Sequence, residues 1–134
     1  MKRLQSTLLY NWFEEVWNKG RETAIEEMTS DQTIAHGLAG NQIATGTGEF
    51  KNFYHSFKSE FSNIHFHLQH VVSEDNFECA LCHVTANHKT GKAVAFSGIC
   101  MVRVENGKIM EAWNHFDFLS VYQQLGHKLV EPVI

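Results

Sequence analysis

Seven consecutive residues, Glu111-Ala112-Trp113-Asn114-His115-Phe116-Asp117, hold two carboxylates, an imidazole and an indole. The Asn106-Gly107 pair just before them is a strong hairpin signal, because both central positions of the turn it prefers need φ > 0. The run therefore reads as a strand over Ile109–Asp117. In a regular strand Ile109, Glu111, Trp113, His115 and Asp117 share one face, and Trp113, His115 and Asp117 become a ladder along one wall. A carboxylate against an aromatic wall can have its pKa raised by desolvation, which suits it to carry protons near neutral pH. Asp is also a favoured N-cap for the helix that follows. The run by itself leaves both readings open.

Two other groups of reactive residues invite chemistry. Cys79-Ala80-Leu81-Cys82-His83 has the C-x-x-C-H form of a haem attachment site. It lies inside a period-two stretch, where the two thiols point to opposite faces, so neither haem attachment nor a redox pair is expected. The nine His residues raise the question of a metal. His65 and His67 share a strand face, with His83 and His88 on the neighbouring strand. No standard ligand spacing is met, so the expectation is exposed strand His and no metal. His36 and His115 stand apart from that group and are pocket candidates.

The elements that must position these residues follow from hydrophobic period. Leu4, Leu8, Leu9, Trp12, Phe13, Val16 and Trp17 recur at helical spacing and predict a helix over 3–19, stopped at Gly20. A short helix over about 22–28 and a short strand over 33–36 come next. Gly37, Gly40, Gly46 and Gly48 predict a flexible loop over 37–48. Phe50, Phe53, Tyr54, Phe57 and Phe61 then mark one face of a second long helix, with Thr47 or Gly48 near its cap. From residue 64 the period is two: Ile64, Phe66, Leu68, His70 and Val72 form one face. Four strands in a meander are expected, at 64–72, 77–88, 93–104 and 109–117, and a short helix ending at Gly126 closes the fold. Helices first and a curled antiparallel sheet after is an α+β order, with helices covering one sheet face.

Bulk properties exclude several classes. The 134 residues make one domain, 1–134, large enough for a genuine core. A net charge of −4, with 11 Lys and Arg spread along the chain, lacks the basic footprint of a nucleic-acid partner. No apolar run reaches the length of a membrane span, and Glu14 and Glu15 fall where a signal peptide is apolar. A cytoplasmic location is the expectation.

Phe13-Glu14-Glu15-Val16-Trp17-Asn18-Lys19-Gly20, His36, the Phe-rich helix, Ser97-Gly98-Ile99, Arg103-Val104-Glu105-Asn106-Gly107-Lys108-Ile109, Trp113 with Asp117, and Gln123-Gln124-Leu125-Gly126 follow one another in that order. Together they resemble the SnoaL-like polyketide cyclases of the nuclear-transport-factor-two-like (cystatin-like) superfamily, over about residues 5–126. The resemblance implies a cone-shaped curled antiparallel sheet packed against N-terminal helices. It also implies a ring closure or isomerisation without metal or cofactor, acting on a small hydrophobic, polyketide-like carbonyl compound. Asp117 of the W-x-x-x-D block would be the acid/base residue, and His36 a pocket residue. His36, His115 and Trp113 are the candidates for stabilising enolate charge. Trp17, Phe53, Phe57 and Trp113 are the rings expected to bind the ligand. The connection Lys89-Thr90-Gly91-Lys92 is shorter than the family's usual one, which implies a smaller ligand or a more open mouth. A non-catalytic protein that sequesters a hydrophobic compound, or an assembly role for the free sheet face, are the alternatives. A homodimer is expected under each.

Overall fold

The computed structural model describes residues 4–38 and 42–133. One 3-10 turn (Leu4–Ser6) leads to Thr7, whose hydroxyl caps α1 (Leu8–Trp12) by accepting from the Tyr10 amide at 3.1 Å. The helical path expected over 3–19 does continue to Asn18, but Phe13–Asn18 is wound more widely. Lys19 N donates to Glu14 O, five residues back, at 2.8 Å. Such wide turns are uncommon. Through both segments the adjacent pairs Trp12-Phe13 and Val16-Trp17 are all buried.

After α2 (Thr23–Met28) come β1 (Ile34–Leu38), β2 (Gln42–Thr45) and α3 (Gly46–Glu60). The expected flexible loop over 37–48 is thus largely ordered structure, although Gly40 lies outside the described residues. β2 pairs antiparallel with β1, and α3 begins at once after it. Gly46 makes that corner at φ +84°, with its amide on Thr33 O at 2.7 Å. A Cβ there would lie 2.9 Å from Asp31 O, so only glycine fits. The cap position itself is Thr45, two residues before Thr47. Glu49 reaches back, accepting from the Thr45 amide at 2.8 Å.

The meander then runs through β3 (Phe61–Glu74), β4 (Phe77–His88), β5 (Ala93–Glu105) and β6 (Lys108–Phe116) to α4 (Phe118–Gln124). Its hairpin turns behave as their residues dictate, with Asn106 and Gly107 both at positive φ. The six strands form one curled sheet in the order β2-β1-β6-β5-β4-β3. All neighbours are antiparallel except β1 and β6, which run parallel, so the sheet is mixed rather than purely antiparallel.

α1, its wide continuation and α3 cover the inner face. The Tyr54 hydroxyl donates to Val16 O at 2.9 Å and ties α3 to the first helix. Glu78, buried on the inner face of β4, accepts from the Leu8 and Leu9 amides at 3.3 and 2.8 Å. It anchors the start of α1, where orphan N–H groups favour an anion. Asn18 pairs both of its amide groups with the backbone of Phe66 on edge strand β3, at 2.6 and 2.8 Å. It covers part of an otherwise open edge.

Candidate functional site

Two bulges decide which side chains reach the interior. In β3 the register slips between Leu68 and His70, so Val71 turns inward while Val72 is 66% exposed. The expected face through His70 and Val72 therefore holds only as far as Leu68. In β6 a second slip falls between Ile109 and Glu111, opposite the Arg103-Val104 step. One inserted residue exchanges the two faces of a strand. Ile109 is consequently buried, and beyond the bulge the inward set is Ala112, Asn114 and Phe116, not Glu111, Trp113 and His115.

Between the inner face and the helices lies an open cavity of about 800 Å³, at the wide end of the cone. Phe53, Phe57 and Phe61 wall it on one side, and Phe118, Val121 and Tyr122 of α4 on the other. The short β4–β5 turn supplies Lys89 and Thr90 at its rim. His88 also reaches the cavity, with its ring edge-on to Phe61 at 5.1 Å. It does not share the outward face of His83.

Deeper in, Leu38, Phe53, Phe57 and Phe118 are common to this cavity and to a narrow throat of about 50 Å³. Trp12, Phe13, Trp17, Phe50, Phe66, Phe96 and Phe116 complete its aromatic lining. On the inner face the cross-strand row through Asn114 runs Cys100, Ala80, Val71. Gly98 lies directly under Phe116, and a Cβ there would be 2.4 Å from the ring. Asn114 supplies the one side-chain hydrogen-bond acceptor in the throat. Its Nδ2 donates to His36 O at 2.9 Å, beside the bulge at Gly37 where β1 leaves its register with β2. Neither sequence period nor resemblance had singled out Asn114, although its two-residue spacing from Ala112 and Phe116 is the signal that could have done so.

Of the residues expected to bind ligand, Trp17, Phe53 and Phe57 come together in the throat, and Trp113 does not. Trp113 faces outward and stacks on His36, with ring centroids 5.9 Å apart and planes at 12°. His36 is not a cavity residue either: its Nε2 meets Glu111 Oε2 at 2.7 Å on the same outer face. His115 is exposed on that face, opposite Ile99. The ladder of Trp113, His115 and Asp117 along an inner wall is therefore not formed: the β6 bulge turns Trp113 and His115 outward, and the strand ends at Phe116, before Asp117. Asp117 lies just past the strand end, exposed, between the cavity residues Phe116 and Phe118. Its Oδ1 accepts from the Ser120 amide at 3.0 Å, which makes it the N-cap of α4.

Cys79 and Cys82 point to opposite faces, as their spacing requires. Burial, with a smaller effect from the neighbouring Cys79, pushes the Cys82 thiol up to about 12, and burial pushes Cys100 well above its ordinary range. His67 and His83 are directly opposed on the outer face. Among the described residues no group of three or more His, Cys, Asp or Glu is arranged to hold a metal, and no helix is long and apolar enough to cross a membrane.

The arrangement of curled sheet and covering helices recurs in solved structures. The putative polyketide cyclase IdmH from Streptomyces antibioticus superposes with a TM-score of 0.78 at 19% identity, over 94% of this chain and all (100%) of that one. A putative polyketide cyclase from Bacillus cereus ATCC 10987 gives 0.78 at 26% identity, over 89% of this chain and 78% of that one. A Catenulispora acidiphila protein of ketosteroid isomerase-like fold, solved with trimethylamine, gives 0.82 at 13% identity, over 92% and 95%. No curated protein matches the chain. The model of the SnoaL-like polyketide cyclases matches residues 7–125, nearly the whole of the cone and its cavity, and the chain belongs to that family.

Proposed function

We propose that this protein takes up a small apolar carbonyl compound of polyketide kind and acts on it as a cyclase or isomerase, with Asp117 carrying the proton. The observation that carries the reading is the cavity itself: an aromatic-walled space of about 800 Å³ narrowing to an apolar throat, within the usual range for a small-molecule site. Asp117 takes a proton from the activated carbon of the bound compound. The enolate carbon then attacks a second carbonyl of the same molecule, and the resulting alkoxide takes up a proton. In the isomerase form the proton returns at another carbon. Trp12 and Trp17 hold the side-chain N–H donors among the throat residues for developing negative charge.

For this role the Asp117 carboxylate must leave the Ser120 amide and turn toward the cavity across the start of α4. Asn caps helices as well as Asp does. Asp117→Asn therefore removes the base and keeps the cap. The test is deuterium incorporation from heavy water into β-keto esters, aromatic ketones and steroid enones, followed by NMR. Exchange by the wild type should fall at least about a hundredfold in Asp117→Asn, with Tm unchanged. Equal exchange by both proteins would overturn Asp117 as the base.

A second reading has its own support. Asp117 is outside the cavity lining and already serves as a cap, which suits a protein that only sequesters its ligand. On that reading no compound exchanges, and affinity for an aromatic ligand is the same in wild type and Asp117→Asn.

A homodimer through the outer sheet face is part of the proposal. A row of cross-strand neighbours there, Ile43-His36-Trp113-Met101-Cys79-Val72, crosses all six strands beside the exposed Leu81-Ile99 pair. Exposed apolar surface of this kind favours a partner. Met101→Glu should turn a dimer into a monomer by light scattering, and a wild-type monomer would remove this part.

A further inference from the structure

Asn114 is an amide in an aromatic setting, and its orientation is settled by chemistry. A carbonyl can only accept, so the group facing His36 O at 2.9 Å is the NH₂ end. That leaves Oδ1 as the free end. No described residue donates a hydrogen bond to it. Asn114 shares the throat with Leu38, eight Phe residues, two Trp residues and Gly37. Asn114 also borders a second small void, of about 30 Å³, beside Ala35, Ala112 and Cys100. An acceptor held in place from behind and lacking a donor in front discriminates strongly between ligands, because an unmatched polar group in an apolar site is costly.

We propose that Asn114 Oδ1 reads a hydroxyl donor, a phenol or enol O–H, at the leading end of an aromatic ligand that enters the throat. The proposal rests on the cavity being the ligand site, as set out under the proposed function, and adds which group the ligand presents and which way round it lies. The throat is about 50 Å³ and admits the edge of one ring with its substituent. The hydroxyl end goes in first, and the rest of the ligand fills the wider cavity between α3 and α4. The interaction needs no proton transfer, and it sets binding selectivity whether or not the protein turns the ligand over.

The test is a pair of probes that differ only at the oxygen: β-naphthol, which donates, and its methyl ether, which cannot. Binding is followed by calorimetry and by the side-chain amide signal of Asn114 in ¹⁵N NMR. Wild type should favour β-naphthol by about tenfold, the scale of one satisfied buried hydrogen bond. β-Naphthol should shift the Asn114 amide signal and the ether should not. Asn114→Leu, close in size, should bring the two affinities within about twofold by lowering that for β-naphthol. A steric preference against the methyl group would survive this substitution, and so would any general loosening from losing the bond to His36 O. Both would leave the ratio in place, and an unchanged ratio therefore overturns the proposal. Equal binding of the two probes by the wild type, with no selective shift of the amide, overturns it without any variant and leaves the cavity as the ligand site. Binding of neither probe removes the cavity reading and this inference with it.

Discussion

The inner and outer faces of this sheet are built from the same strands and alternate residue by residue, yet they are different materials. The inner rows read Asn114-Cys100-Ala80-Val71 and Phe116-Gly98-Cys82-Leu68. Small groups make a floor, aromatic rings make the walls, and Asn114 is the one amide let into the throat. The outer rows read Trp113-Met101-Cys79-Val72 and His115-Ile99-Leu81-His70. Imidazoles and large apolar groups alternate there in solvent, with ion pairs at the margin. Polar groups inside are held by the backbone they bind, whereas those outside pair with one another. Chemistry-bearing residue types are commoner on the outer face, but the space for a ligand is on the inner one.

The sharpest contrast is between thiols three residues apart. Cys82 lies inside with its thiol pushed up to about 12, Cys100 lies inside and is raised well above its ordinary range by burial, and Cys79 is half-buried outside. Thiolate is the reacting form, so iodoacetamide at mildly alkaline pH should label Cys79 at least about a hundredfold faster than the other two. In denaturant all three should react alike. Fast native labelling at Cys82, mapped by mass spectrometry, would put the β4 register out by one and reverse the two faces.

Packing gives the next largest effect. Gly98 has Phe116 at van der Waals distance, and any Cβ must displace the ring and the backbone behind it. Gly98→Leu should cost about 3 kcal/mol or more by urea denaturation, at the upper end for overpacked cores. The neighbouring outer residue, Ile99→Leu, should change stability by less than about 0.5 kcal/mol in the monomer. Similar costs at the two positions would mean that the inner wall is not close-packed.

How far this contrast was legible in the sequence depends on period and on where period breaks. The helical spacing of Phe50, Phe53, Tyr54 and Phe57 found α3, and alternation with Asn-Gly and Gly-containing turns found the meander. The resemblance located the family from blocks spread over the chain. What alternation cannot reveal is a bulge, since one extra residue leaves each half of the strand looking regular while exchanging its faces. That is why alternation put Trp113 and His115 on the same face as the buried Ile109, and why Asn114 passed unnoticed. The bulges did leave traces: Val71-Val72 and Ile109-Met110 are adjacent apolar pairs where a half-buried strand should alternate. The parallel β1–β6 pair left none, because long-range pairing of a five-residue strand has no local pattern. The cap reading of Asp117, open from sequence, is the one for which the structure gives a distance.

Glu78 tests whether an inward charge belongs to the fold or to the site. Its carboxylate holds the Leu8 and Leu9 amides, at the end of the molecule where the first helix meets β4. Hydrogen bonds to a charged acceptor contribute about 1.5–3 kcal/mol, and the helix N-terminus adds to that. Glu78→Gln should lower stability by about 2 kcal/mol, with a fall of several degrees in Tm. The ratio of β-naphthol to methyl ether affinity should not change. A changed ratio at constant stability would place Glu78 in the ligand site rather than under the helix.

The smallest effect belongs to a residue pair on the outer face. His36 and Glu111 meet at 2.7 Å, with side chains 34% and 25% exposed, and Arg103 stands 3.8 Å from the other carboxylate oxygen. A polar pair so open to water holds two side chains in place for little gain, typically about 0.2–1 kcal/mol. Glu111→Gln should therefore cost about 0.5 kcal/mol, a shift near the limit of a urea titration. It should leave deuterium exchange and naphthol selectivity untouched, because the β6 bulge puts the whole sheet between this pair and the throat. Should the same substitution abolish exchange, the outer face would be the working one and the aromatic cavity only its support. Should it instead change the dimer equilibrium alone, the pair serves the interface, as its row beside Trp113 and Met101 suggests.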